Sequence, residues 1–154
     1  MKKTILALLF FPLLSMANTK DVVMDYLRVS AQYQIDVTDW YKKNDTWLVD
    51  FKTKENEKMK VTISGNRVAV HSLFPKPITD IYSSGCASIA KEVIPEAGYW
   101  DENATENTKA INRFWNNKEW SEPFHTQETV IDGWKLIVIK KPNELSCVIE
   151  PTTI

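Results

Sequence analysis

Two histidines, two cysteines and six tryptophans are the residues of this 154-residue chain on which chemistry or recognition can rest. His125 lies in the stretch Ser121-Glu122-Pro123-Phe124-His125, with Glu122 and Glu128 close in sequence. A carboxylate beside an imidazole can orient it as a general base, so a small hydrolase using His125 is one reading. The nucleophile that such a base serves is not signalled: Ser83, Ser84 and Ser121 stand outside any G-x-S-x-G turn. A triad assembled only in space leaves no local mark. His71 falls, by strand alternation, on the polar side of its strand, opposite Lys60 and near Arg67, with no acid partner in view. Basic neighbours disfavour a protonated imidazole there.

Metal and cofactor chemistry find little support. The histidines lie far apart in sequence and the cysteines, Cys86 and Cys147, form no CxxC pair, so no zinc-ligand spacing is present. Asp101-Glu102 and the pair Glu55 and Glu57 lack the alternating oxygen ligands and central glycine of a calcium loop. Carboxylate pairs of the glycosidase kind are defined by spatial separation and have no signature in sequence. No cofactor is therefore expected. A lone cysteine pair in an oxidising compartment most often forms one disulfide. Closing a loop of about sixty residues is worth roughly 4 kcal/mol in the chain-entropy picture.

Five of the six tryptophans divide into two groups. Trp47 and Trp134 sit in alternating apolar runs and belong to a core face. Tyr99, Trp100, Trp115, Trp120 and Phe124 crowd into residues 99–124 among asparagine, glutamate and lysine, with few aliphatic neighbours. Tryptophan and tyrosine recur where one end of a ring is apolar and the other wet. One reading makes Tyr99, Trp100, Trp120, Phe124 and His125 a binding surface, with Trp115 turned inward. The other makes the segment a second small core beneath a helix at 105–117.

The compartment is read from the N-terminus. MKKTILALLFFPLLSMA has two lysines, a ten-residue apolar run and small residues at Ser15 and Ala17, the three parts of a secretory signal. The run is too short to span a bilayer of about 30 Å as a helix, so cleavage after Ala17 and a periplasmic (or secreted), not membrane-embedded, mature chain of residues 18–154 are expected. Removing residues 1–17 takes away two lysines and no acid, leaving 17 basic against 20 acidic residues and a net charge of −3. Nucleic acid and anionic membrane both demand a basic face, and are not expected as main partners.

A single α+β domain must position these residues, since a chain of this length holds one core. Asn18 or Thr19 caps a helix whose stripe is Val22, Val23, Tyr26, Leu27 and Ala31. A looser strand is expected at 34–41, then a three-stranded antiparallel meander over 46–73. Pairing Trp47 with Ile63, and Ser64 with Arg67 across the Gly65-Asn66 turn, puts every alternating apolar residue on one side. Pro75 and Pro77 are read as opening a helix that carries Ile78 to Val93 and stops at Pro95, and Asn103 with Glu106 as capping another whose apolar side is Ala110, Ile111, Phe114 and Trp115. Asp132-Gly133 and Pro142-Asn143 turn the C-terminal strands into one hairpin or two. Pairing Lys141 with Glu144 sets Val138 opposite Cys147, so both thiols point inward and a helix stapled to the last strand follows.

These residues support, as an expectation, a small periplasmic binding protein that recognises another protein without catalysis, as an inhibitor or immunity-type partner of an envelope enzyme or toxin does. The alternatives are the hydrolase using His125 and a binder of cell-wall glycan using surface tryptophans.

Overall fold

The computed structural model describes residues 18–98 and 102–153. Residues 1–17, on which the expectation of a secretory signal rests, and Tyr99, Trp100 and Asp101 lie outside the described residues. The described residues form three helices, α1 (Thr19–Val29), α2 (Gly85–Val93) and α3 (Glu106–Trp115), and strands β1 (Tyr41–Lys43), β2 (Thr46–Lys52), β3 (Lys58–Ser64), β4 (Arg67–Leu73), β5 (His125–Ile131), β6 (Trp134–Lys141) and β7 (Glu144–Pro151). The strands make one antiparallel sheet in the order β1-β2-β3-β4-β7-β6-β5.

The meander follows the register that alternation demands. Trp47 pairs with Ile63, Val49 with Val61 and Phe51 with Met59, and Ser64 with Arg67, Ile63 with Val68 and Val61 with Val70. At the C-terminus Lys141 pairs with Glu144, Val138 with Cys147 and Leu136 with Ile149, giving two consecutive hairpins. Asp132 and Gly133 both take positive φ, the primed-turn geometry that matches strand twist. The inward residues Val49, Val61, Val70, Cys147, Val138 and Leu136 are all buried. Cys86 of α2 and Cys147 of β7 form a disulfide, with 6.0 Å between Cα atoms. A staple between helix and last strand fits an oxidising, extracytoplasmic location. No helix among the described residues is long and apolar enough to cross a membrane.

Three boundaries differ from the sequence reading. Residues 34–40 are not a strand. Asp36 accepts the Thr38 N–H and Asp39 accepts the Asp36 N–H, a capping box that winds Val37–Asp39 into a one-turn 3-10 helix and leaves only Tyr41–Lys43 to pair with β2. The helix expected from Pro77 starts at Gly85. Asp80 accepts the Tyr82 N–H and the Ser83 hydroxyl, and Ser84 caps by accepting the Ala87 N–H. These local bonds give the backbone an alternative to the helix. Gly85 permits close packing, because a Cβ there would stand 2.3 Å from the Met59 terminal methyl. Thr105, not Asn103, caps α3: its hydroxyl accepts the Thr108 N–H and donates to the Glu96 carbonyl, which ties the helix start to the turn after α2.

The topology is doubled, although the sequence shows no repeat. Each half runs helix, one-turn 3-10 helix with a buried tryptophan, then a three-stranded meander. The first half contains α1, Val37–Asp39 beside Trp40, and β2 to β4; the second contains α3, Lys118–Ser121 with Trp120, and β5 to β7. The last strands of the two meanders pair at the centre, Val70 against Cys147, with α2 packed over both. Val61↔Val70 and Val138↔Cys147 hold equivalent places, as do the turns Gly65-Asn66 and Pro142-Asn143.

Candidate functional site

The aromatic segment is where recognition was expected, and the structure places most of its described rings inside. Trp120 is 5% exposed, not a surface ring. Its indole N–H donates to the Phe114 carbonyl at 2.8 Å, and its ring packs against Phe114 and Trp115 with centroids 5.5 and 6.2 Å away. The physical reason lies on β6. Lys140 follows the inward parity of Trp134, Leu136 and Val138, is 3% exposed, and donates to the carbonyls of Trp120 at 2.6 Å and Glu122 at 2.9 Å. This ammonium pulls the Lys118–Ser121 turn onto the sheet and closes the second small core. The parity of β6 carried that signal. Phe124 alone among the described rings of the segment stands free, at 69% exposed.

His125 is not in a loop: it opens β5, on the inward side of an edge strand. Its ring stands edge-on to Trp120 at 4.6 Å, with Nε2 3.2 Å from the Gln127 amide oxygen and 3.7 Å from a Glu119 oxygen. The acid beside it is therefore Glu119, not Glu122 or Glu128, and an amide rather than a hydroxyl occupies the nearest polar position. His71 pairs with Lys60 as expected but does have an acid neighbour, from β7. Its Nδ1 lies 2.8 Å from Ser146 Oγ and 3.7 Å from Glu144 Oε1. Hydroxyl and carboxylate meet the same ring nitrogen, whereas a triad needs the carboxylate on the opposite one. Among the described residues no group of three or more His, Cys, Asp and Glu is placed to hold a metal ion.

A different surface comes forward. All inward positions on β3 and β4, and on β7 as far as Ile149, are buried, while no outward position on the seven strands is. No described element covers that outer face. Across its middle runs the row Leu48, Thr62, Ala69, Val148 and Ile137, half-buried and mostly apolar, with Ile139 and Val130 exposed beside it. Charges flank the row. Arg67 binds Glu150 at 3.1 Å, Lys135 meets Glu128 at 3.5 Å and Lys141 meets Glu144 at 3.5 Å. Alternation assigned these residues to the polar side of their strands, but the face exists only because β4 pairs with β7.

One titratable group stands apart at the sheet's end. Glu57, in the β2–β3 turn, is 7% exposed, and burial pushes its carboxyl above the usual carboxylate range. No family model, curated protein or solved structure matches this chain.

Proposed function

We propose that this protein is a small exported, periplasmic binding protein that recognises another protein without catalysis, in the manner of an inhibitor or immunity-type partner of an envelope enzyme or toxin. The observation that carries the reading is the uncovered face of the seven-stranded sheet, with an apolar row at its centre and ion pairs around it. An apolar centre with a polar rim is how protein interfaces are built. Within the aromatic segment, Trp120 does not supply that surface, because it belongs to the core. The same burial takes Trp120 away from a glycan platform, and the amide at His125 argues against the hydrolase.

The test uses the mature chain immobilised and exposed to periplasmic extract. A retained protein should be displaced by free mature chain and lost with the double variant Val130→Glu, Ile139→Glu, whose sites are exposed and whose folding should be unchanged. Retention that ignores these substitutions, or binding to isolated cell wall in place of protein, would sink the reading.

A further inference from the structure

The outer face is not uniform. At the end formed by β2, β3 and β4 it sinks into a depression of about 530 Å³ lined by Asp50, Lys52, Lys58, Lys60, His71 and Leu73, together with Phe51 and Met59. Lys52 and Lys58 are direct cross-strand partners, and Lys60 stands between Asp50 and His71 in the adjoining row. Like charges placed opposite one another on a sheet destabilise it. None of these three lysines has a carboxylate of the described residues within salt-bridge distance, although the whole chain carries a net charge of −1. Asp50, the acid directly opposite Lys60, accepts the Tyr41 hydroxyl at 3.0 Å, and Glu144 lies beside His71 and Lys141. Leu73, an exposed leucine, forms the apolar part of the rim.

We infer that this depression receives an acidic segment of the protein partner, an extended stretch with carboxylates for Lys52, Lys58 and Lys60 and an apolar side chain for Leu73. The inference rests on the protein-binding reading and names the partner's chemistry. Charge complementarity selects the occupant: a carboxylate set between Lys52 and Lys58 relieves their repulsion and adds negative charge to a lining in which three lysines meet the single carboxylate of Asp50. A concave site suits a peptide segment better than a flat membrane, which cannot enter it. Ion pairs at such a rim govern encounter rate and salt dependence, so binding should weaken as ionic strength rises.

The experiment titrates the full mature chain into a fluorescent decapeptide of alternating glutamate and leucine, followed by anisotropy at low and at physiological salt. Binding is expected, with affinity falling at the higher salt. Lys58→Glu and Lys60→Glu should each weaken it about tenfold or more, whereas Lys135→Glu, on the paired part of the same face, should change it by less than about twofold. Unfolding midpoints of the variants show that the fold is kept. No binding, equal binding by Lys58→Glu, or capture by phosphatidylglycerol vesicles in preference to the peptide would overturn the inference. If a partner retained from periplasm is unaffected by Lys58→Glu, the acidic-segment inference falls and the protein-binding reading stands. Failure to retain any partner defeats that reading whatever the peptide does.

Discussion

In the half built from β5, β6 and β7, the outward bases Lys135 and Lys141 each face a carboxylate, Glu128 and Glu144 respectively. In the half built from β2, β3 and β4, Lys52, Lys58 and Lys60 face one another or a carboxylate already engaged by Tyr41. The halves share a plan down to hairpin register, so the difference is not forced by topology. Interiors differ in the same way. Ile63 fills the place in β3 that Lys140 fills in β6, and only Lys140 needs the carbonyls of Trp120 and Glu122 to be satisfied. One half is neutralised outside and carries a buried ammonium inside. The other buries no base among its described residues and leaves its positive charge on the surface. A repeated scaffold thus separates the work of holding the fold from the work of presenting charge.

The largest expected effect comes from the two tryptophans that mark the repeat. Trp40→Ala and Trp120→Ala should each lower stability by about 3–5 kcal/mol, as emptied buried aromatic sites do, measured from denaturant midpoints. Phenylalanine sharpens the comparison. Trp120→Phe strips the Phe114 carbonyl of its 2.8 Å donor, whereas the Trp40 indole N–H is buried without a protein partner. Trp120→Phe should therefore cost about 1 kcal/mol more than Trp40→Phe. Equal costs would show that the halves anchor their tryptophans alike.

The next effect concerns the junction between the halves. Cys86→Ser with Cys147→Ser removes a link across 61 positions of sequence and should cost about 2–5 kcal/mol. Alkylation of the native protein should leave both sulfurs unmodified, and a freely alkylated Cys147 would contradict the staple.

The smallest effect is confined to the first half. Burial raises the folded-state pKa of Glu57, so the native state holds its proton more tightly than the unfolded chain. That contribution is fully present below the unfolded carboxylate pKa and is lost as pH rises through the folded one. Glu57→Gln should therefore raise the thermal midpoint relative to the parent at neutral pH, with the advantage shrinking toward pH 4. A pH-independent difference would mean that Glu57 is not penalised by burial.

How much was legible in advance differs from element to element. Strand alternation is a local property with a period of two, so Trp47, Val49 and Phe51 name their face and the Gly65-Asn66 turn names their register. Cys86 and Cys147 were paired by the same logic, one from a helical stripe and one from a strand face. Helix starts were read less well, because Asp80, Ser84 and Thr105 bond to nearby backbone and override apolar periodicity. The aromatic segment left two readings open for a different reason. Trp120 has few aliphatic neighbours in sequence, and its burial depends on Lys140 and Phe114, which local composition does not connect to it.

By itself the sequence determined the meander, the two C-terminal turns, the inward direction of the two thiols and the charge on each strand's outer side, since each follows from neighbours a few residues apart. Only the tertiary structure decided that β4 joins β7, that two unlike sequences form one doubled plan, and that Lys52, Lys58 and Lys60 gather at one end of an open face. The physical reason is the range of the interactions. Alternation and turn chemistry act between near neighbours, whereas pairing the last strands of two meanders depends on burying both apolar faces under the same helices, a choice that no local stretch of the chain encodes.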